Sequence, residues 1–296
     1  ELKESEGMGL LFITHDLAIV RRIADRVCVM KDGEIVESGP AEEIFANPQH
    51  PYTQKLLAAE PSGQPAAVPE GAEELVRTSD LKVWFPIQKG LLKRTVGHVK
   101  AVNPTSISVR AGETLGIVGE SGSGKTTAAQ AVVGLVPRDR GELRLRNEEL
   151  APGVEERTRE QLAGMRMVFQ NPTASLNPNL PIRHAIVRTL RKFARLNRQD
   201  SRERAVELAR AVRLDPAYLD RRADELSGGE LQRAALAAAF AGNADLIVAD
   251  EAVSSLDVSV QAQVLNLLQR HQQEAGTSYV FISHDLGVVR YISDDI

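Results

Sequence analysis

Residues 113–127 read ETLGIVGESGSGKTT. An apolar run of strand type, ETLGIVG, feeds straight into a glycine-rich turn, and the following AAQAVVGL (128–135) has the pattern of a helix. Gly119 to Thr126 fits G-x-x-x-x-G-K-[ST]. The physical reason for that spacing is direct. Glycines let successive backbone N–H groups turn inward as an anion nest, and the helix that starts there adds its positive end. Lys125 reaches the outer phosphates of a nucleotide, and the Thr126 hydroxyl suits a Mg²⁺ ion. The contact set expected for such a loop is Gly119, Ser121, Gly122, Ser123, Gly124, Lys125, Thr126 and Thr127.

Two further stretches bear on the same chemistry. ADLIVADEA (244–252) is a buried-strand run that ends in two acids. Asp250 emerges at the carboxyl end, the edge at which open α/β sheets bind ligands. It would bind the metal, and Glu251 would orient or deprotonate an attacking water. Acids after an apolar strand are a weak signal alone and gain force beside the loop. LSGGELQR (226–233) opens an alanine-rich helix with Ser227, Gly228 and Gly229, a second helix start suited to a phosphate. Ser227 with Glu230 also fits an ordinary capping box.

At this point the residues resemble the ABC-type ATPases, whose signature is the LSGG[E/Q]xQR text together with a phosphate loop. The resemblance implies ATP and Mg²⁺ as ligands and an α/β fold of the P-loop type. That fold has a mainly parallel sheet, an antiparallel β part and a helical subdomain at about 175–225. It also implies roles for other residues. Gln170, in VFQNP, resembles the glutamine that contacts Mg²⁺ and the water and links to the membrane subunit. Asp257, in SSLD, resembles the so-called D-loop, and His284, in FISHD, resembles the switch histidine that touches the γ-phosphate. Phe85 is expected as the aromatic platform for adenine, with Trp84 on the opposite strand face as the alternative. The catalytic set is then Glu251, His284, Lys125 and Gln170, and the metal set Thr126, Gln170 and Asp250.

GESGSGKTT, VFQNPTASLNP, SLDVSVQAQVLNLL and NPQHPYTQKLL resemble more narrowly the ATPase subunits of oligopeptide/dipeptide importers. That resemblance implies transmembrane permease subunits as partners, an extracytoplasmic solute-binding protein acting indirectly, and a second ATPase half or a second copy. It implies a peripheral place on the cytoplasmic face of the membrane, and no nucleic-acid partner. Two departures stand out. DEAVSSLD stands where DEPTSALD is usual, and Leu231 occupies a position that is usually polar.

FITHDLAIVRRIADRV (12–27) and FISHDLGVVRYISDDI (281–296) agree at nine of sixteen positions, 269 residues apart. An offset of that size is a domain, not a solenoid repeat. His15 then resembles the switch histidine of a first ATPase half. The expected organisation is the tail of that half at 1–59, a linker at 60–74 and a second half at 75–296, truncated after its switch histidine. EPSGQPAAVPEGAEE (60–74) has the proline and glycine content of a linker. LLFIT (10–14) reads as a strand, 16–26 as a helix, and the Asp32-Gly33 pair as the turn of a hairpin. Residues 41–58 read as helical with a break at NPQHP, and Pro181–Ala223 as helical and rich in Arg and Ala.

Bulk composition is compatible with this reading. The net charge of −4 lacks the basic excess of a general nucleic-acid binder. The single cysteine, Cys28, forms no internal disulfide, which fits a reducing cytoplasm. No apolar run is long enough to span a membrane. A tandem ATPase acting on ribosomes or DNA is the rival reading; such proteins usually carry a long charged helical linker, whereas this one is short and proline-rich.

Overall fold

The computed structural model describes residues 7–14, 17–58, 65, 68–90, 93–254, 256 and 258–296. His15, Asp257 and much of the linker lie outside the described residues. The chain divides into two compact units, residues 1–60 with 257–262, and residues 61–256 with 263–296.

In the first unit helix α1 (Leu17–Ile23) precedes strands β1 (Arg26–Lys31) and β2 (Glu34–Pro40). These pair antiparallel around Asp32 and Gly33, whose φ values of 51° and 86° suit the left-handed two-residue turn that matches strand twist. Helices α2 (Ala41–Ala46) and α3 (Pro51–Ala58) follow, separated at the expected proline-rich break. The Glu37 carboxylate fixes that break by accepting the backbone N–H groups of Gln49 (2.7 Å) and His50 (3.1 Å). The expected strand at 10–14 does not form. None of the three sheets includes those residues, and Leu11 and Ile13 are each 89% exposed. Apolar, β-prone text makes a strand only when a neighbouring strand supplies its hydrogen bonds.

The second unit holds two sheets. Strands β3 (Glu74–Lys89), β4 (Arg94–Arg110), β6 (Arg140–Leu145) and β7 (Glu148–Glu149) form an antiparallel sheet in the order β4-β3-β6-β7. Strands β5 (Thr114–Ile117), β8 (Met165–Val168), β9 (Leu246–Asp250) and β10 (Ser278–Ile282) form the other, in the order β5-β10-β9-β8, with every pairing parallel. All five residues of β9 and all five of β10 are buried, as expected for central strands of a parallel sheet covered on both faces.

Helix α4 (Lys125–Val133) joins the two sheets into one core. Its Ala128, Ala131 and Val132 belong to the same apolar cluster as Val83, Val102 and Leu143 of the antiparallel sheet and Val248, Val280 and Ile282 of the parallel one. Small alanines on α4 let the helix approach both layers closely. Burying side chains such as Val248 and Ile282 contributes roughly 1.5–3 kcal/mol each.

The short helix α5 (Arg159–Gly164) leads into β8, and the helical part follows it. Helix α6 (Ile182–Lys192) buries Ile182, Ile186 and Leu190, one residue per turn. Helix α7 (Arg198–Ala211) buries Ala205, Leu208 and Ala209. Arg183 of α6 donates both Nε and Nη2 to Asp220 at 2.8 and 2.9 Å, a bidentate pair that fixes the end of the connection back to helix α8 (Gly228–Phe240). Helix α9 (Val258–Ala275) precedes β10, and helix α10 (Leu286–Ile292) follows it. Helices α1 and α10 start and stop at positions that differ by the same 269 residues as the sequence repeat.

One buried titratable group sits under the helical face. His271 of α9 stacks on Phe240 (centroids 4.0 Å apart, planes at 11°), and its Nδ1 lies 3.0 Å from the hydroxyl of the fully buried Tyr279. Burial, with a smaller push from Arg204, lowers its pKa to about 4. An unfolded histidine titrates near 6.5. Between about pH 6.5 and about pH 4 the unfolded chain therefore binds a proton that the native chain does not. Stability falls as pH drops through that window, by up to about 3 kcal/mol from this group. His271→Gln is expected to flatten the dependence of urea stability on pH between 7 and 4.5 by close to one proton. An unchanged slope would assign the acid sensitivity elsewhere.

Candidate functional site

The site is built where β5 ends. From Gly119 to Gly124 the chain curls over the start of α4, with positive φ at Gly119 (153°), Gly122 (81°) and Gly124 (96°). Gly124 is required by space as well as by backbone angle. A Cβ there would lie 2.2 Å from the carbonyl oxygen of Ala101 on β4, well inside the distance at which a non-bonded carbon and oxygen clash. Ser121, Gly122 and Ser123 are exposed at the crest of the loop, and Thr127 is half-buried one turn below it. The Lys125 ammonium donates to the carbonyl oxygens of Gly119 and Glu120, each at 2.7 Å, and approaches Ser123 Oγ at 3.3 Å. A cation held by neutral carbonyls is one that an anionic oxygen can claim, because a full negative charge attracts it more strongly than a carbonyl dipole does.

Asp250 ends β9 and is 2% exposed. Burial pushes its carboxyl above the ordinary range, opposed by the hydroxyl of Thr126, which donates to Oδ1 at 3.2 Å. A buried carboxylate beside an exposed hydroxyl at the first turn of the loop helix is an oxygen donor set of the kind hard divalent cations take. The residues present thus fit a Mg²⁺ ion.

Glu251 follows in a left-handed conformation (φ 47°), uncommon for a residue with a side chain. The turn is held from both sides. Its N–H donates to Ile282 O on β10 at 2.9 Å, and its carbonyl accepts from the Ser254 hydroxyl at 2.9 Å. The side chain is thereby aimed at its neighbours. Gln170, just past β8, donates Nε2 to Oε2 at 2.6 Å, and Nδ1 of His284, just past β10, stands 3.7 Å from Oε1. Three residues that are far apart in sequence thus meet at one carboxylate.

Ser227 caps helix α8. Its hydroxyl and its backbone N–H both donate to Glu230 Oε2 at 2.8 Å, and the Glu230 N–H returns to Ser227 Oγ at 3.4 Å. The capping box is therefore present, and those bonds from Ser227 hold the Glu230 carboxyl below its usual range. The polar partners of Ser227 belong to its own helix, and Gly228 is exposed beside it.

Phe85 is 42% exposed on β3, opposite Val99 of β4. Val99 lies two residues before Ala101, whose carbonyl abuts Gly124. Trp84 points the other way, its ring under the Lys82 ammonium at 3.3 Å and near that of Lys100 at 4.7 Å. Of the two aromatics, Phe85 carries the open face.

The unusual positions have plain packing reasons. Ala252 and Val253, in place of the common Pro and Thr, are 0% and 1% exposed, and Leu231 is 7% exposed, so each apolar side chain is withdrawn from water. Two contributors escaped the sequence reading: the carbonyls of Ala101 and Ile282. Both act through the backbone, so no residue type marks them.

The family described as "ABC transporter" matches residues 102–254, and that described as "Oligopeptide/dipeptide transporter, C-terminal region" matches residues 36–78. The chain is 43% identical over 297 residues to the peptidoglycan transport ATP-binding protein YejF of Agrobacterium fabrum, covering 100% of this chain and 54% of that protein. It is 41% identical over 322 residues to the glutathione import ATP-binding protein GsiA of Escherichia coli K12, covering 99% of this chain and 51% of that one. The chain spans about half the length of the curated relatives it matches. Among solved structures it is similar to the ATP-binding cassette MJ0796, in a dimeric post-hydrolysis state bound to ADP and Pi. The TM-score is 0.66 at 25% identity, over 73% of this chain and 91% of that one. The matched residues 102–254 include the loop, the acid pair and the helix cap, and the chain belongs to the ABC transporter family.

Proposed function

We propose that this chain is an ATP-binding and ATP-hydrolysing part of an importer for peptides or similar small solutes, driving separate membrane subunits from the cytoplasmic face. One observation carries the reading. The four parallel strands release the phosphate loop, His284, Glu251 and Gln170 at their carboxyl ends, in the order β5, β10, β9, β8. The family matches and the names of the relatives support import of a peptide-like cargo.

In this reading the loop amides and Lys125 hold the β- and γ-phosphates, and Phe85 stacks on adenine. Thr126, Asp250 and Gln170 would hold Mg²⁺, which when bound neutralises phosphate charge and polarises the γ-phosphoryl group. Glu251 accepts a proton from the attacking water. Gln170 and His284 position that carboxylate and the transferring group. Such catalysis is mainly positioning and electrostatics.

Ser227, Gly228 and Gly229 would bind the nucleotide of a second half or copy, since the capping contacts of Ser227 stay within its own helix. Residues 1–59 and 75–296 would belong to two successive ATPase halves joined by a linker at 60–74, as the 269-residue repeat suggests. The permease would dock in a cavity of about 280 Å³ between Arg166 and Met167 of β8 and His184, Arg188 and Lys192 of α6. That cavity lies next to Gln170 in the chain, which would couple docking to the site. A solute-binding protein outside the cell would act only through the permease.

Three outcomes test this function. Lys125→Ala should weaken ATP binding by about 10- to 100-fold in calorimetry, since a charged hydrogen bond contributes roughly 1.5–3 kcal/mol. Equal affinities would remove the loop from the site. Glu251→Gln should leave ATP affinity within about threefold while lowering kcat by roughly 10²- to 10³-fold, as expected for loss of a general base. Unchanged turnover would exclude Glu251. Specific ATPase activity of the chain should fall on dilution, because the loop needs a signature helix from another half; activity independent of concentration would contradict that.

A further inference from the structure

A strongly one-sided run of charge lies away from the nucleotide site. From Pro181 to Gln199 the chain carries Arg183, Arg188, Arg191, Lys192, Arg195 and Arg198 and no Asp or Glu, within a protein of net charge −4. Arg183 is spent on Asp220. The remainder are arranged by the helix. Arg188, Arg191 and Lys192 fall at i, i+3 and i+4 on α6, opposite the buried Ile182, Ile186 and Leu190. Arg195 stands in the turn after the helix and Arg198 opens α7. All five are exposed. Among the described residues their one carboxylate neighbour is Glu160, 3.7 Å from Arg195 and itself 84% exposed.

Structural uses for these charges are few. Arg191 and Lys192 favour the negative end of α6, but Arg198 sits at the start of α7, where a cation is disfavoured. The cations also repel one another with no acid interspersed. A uniformly basic, exposed helix face of this kind complements a surface of fixed negative charge.

We propose that Arg191, Arg195 and Arg198, the cations of this stretch outside the docking cavity, bind anionic phospholipid headgroups, giving the protein a hold on the bilayer besides its permease. The proposal rests on the transporter reading for the nearness of a membrane. Lipid is favoured over the permease because Arg191, Arg195 and Arg198 lie outside the cavity assigned to the permease and present cations that suit a surface of fixed negative charge. The cytoplasmic leaflet is negatively charged and attracts each nearby basic residue. The attraction falls off within a Debye length, so the hold is weak, reversible and salt-sensitive.

The test is co-sedimentation of the chain with vesicles of phosphatidylcholine alone or mixed with phosphatidylglycerol, at low and at physiological salt. The variant replaces Arg191, Arg195 and Arg198 by Glu, three residues outside both the nucleotide site and the docking cavity. Binding is expected to the phosphatidylglycerol vesicles alone, to weaken with salt, and to drop at least about tenfold in the variant. Replacing Arg77 and Arg144 of the antiparallel sheet by Glu should leave it unchanged. Equal binding of the Arg191/Arg195/Arg198 variant, or binding to neutral vesicles, overturns the proposal. So does a preference for double-stranded DNA over the vesicles at the same salt, which would make the face a nucleic-acid surface. ATP hydrolysis is measured on the same preparations. Vesicle binding without hydrolysis would sink the ATPase reading and leave this one standing; hydrolysis without vesicle binding does the reverse.

Discussion

Parallel pairing in the β5-β10-β9-β8 sheet is the constraint on which the rest depends. Parallel strands all end on the same side, so each can contribute one chemical group to one edge. Tyr279–Ile282 pairs with Thr114–Ile117 on one side and with Ile247–Asp250 on the other. That register sets the end of β10 level with the start of the phosphate loop and with Asp250. A shift of one residue would exchange the side chains packed on the two covered faces, so the packing that fixes the register also fixes the site.

A second constraint is the close approach of α4 to both sheets. Alanines on the helix and Gly124 at its start allow the loop to rest on the backbone of β4. The antiparallel sheet thereby reaches the phosphate loop, and Phe85 is carried to the same region by β3. The electrostatics follow from this packing. Asp250 is buried because the core closes around β9, and its raised pKa expresses the cost of that burial, which the Thr126 hydroxyl and the Lys125 charge offset only in part.

Legibility in the sequence followed the type of interaction. The phosphate loop, the acid pair and the capped helix were readable because each needs particular residue types at fixed spacing. The hairpin at Asp32-Gly33 was readable for the same reason. The β6–β7 hairpin was not, since its turn is made by Arg146 and Asn147 at φ 50° and 65°, with no glycine to mark it. The strand expected at 10–14 failed because pairing is a property of neighbours and not of the segment. The Gln170–Glu251 bond spans 81 residues and rests on the order of strands, which local text does not encode. Leu231 and Val253 departed from the usual family text, and their burial supplies the reason.

The most direct measurement is a structure of the chain with Mg²⁺ and a non-hydrolysable ATP analogue. In that structure Lys125 Nζ is expected to leave the carbonyls of Gly119 and Glu120 for phosphate oxygens. The Thr126 hydroxyl is expected to turn from Asp250 toward the metal, while Glu251 stays within reach of Gln170 and His284. An analogue seated away from residues 119–127, or Lys125 still bound to its own loop beside an ordered triphosphate, would contradict this reading.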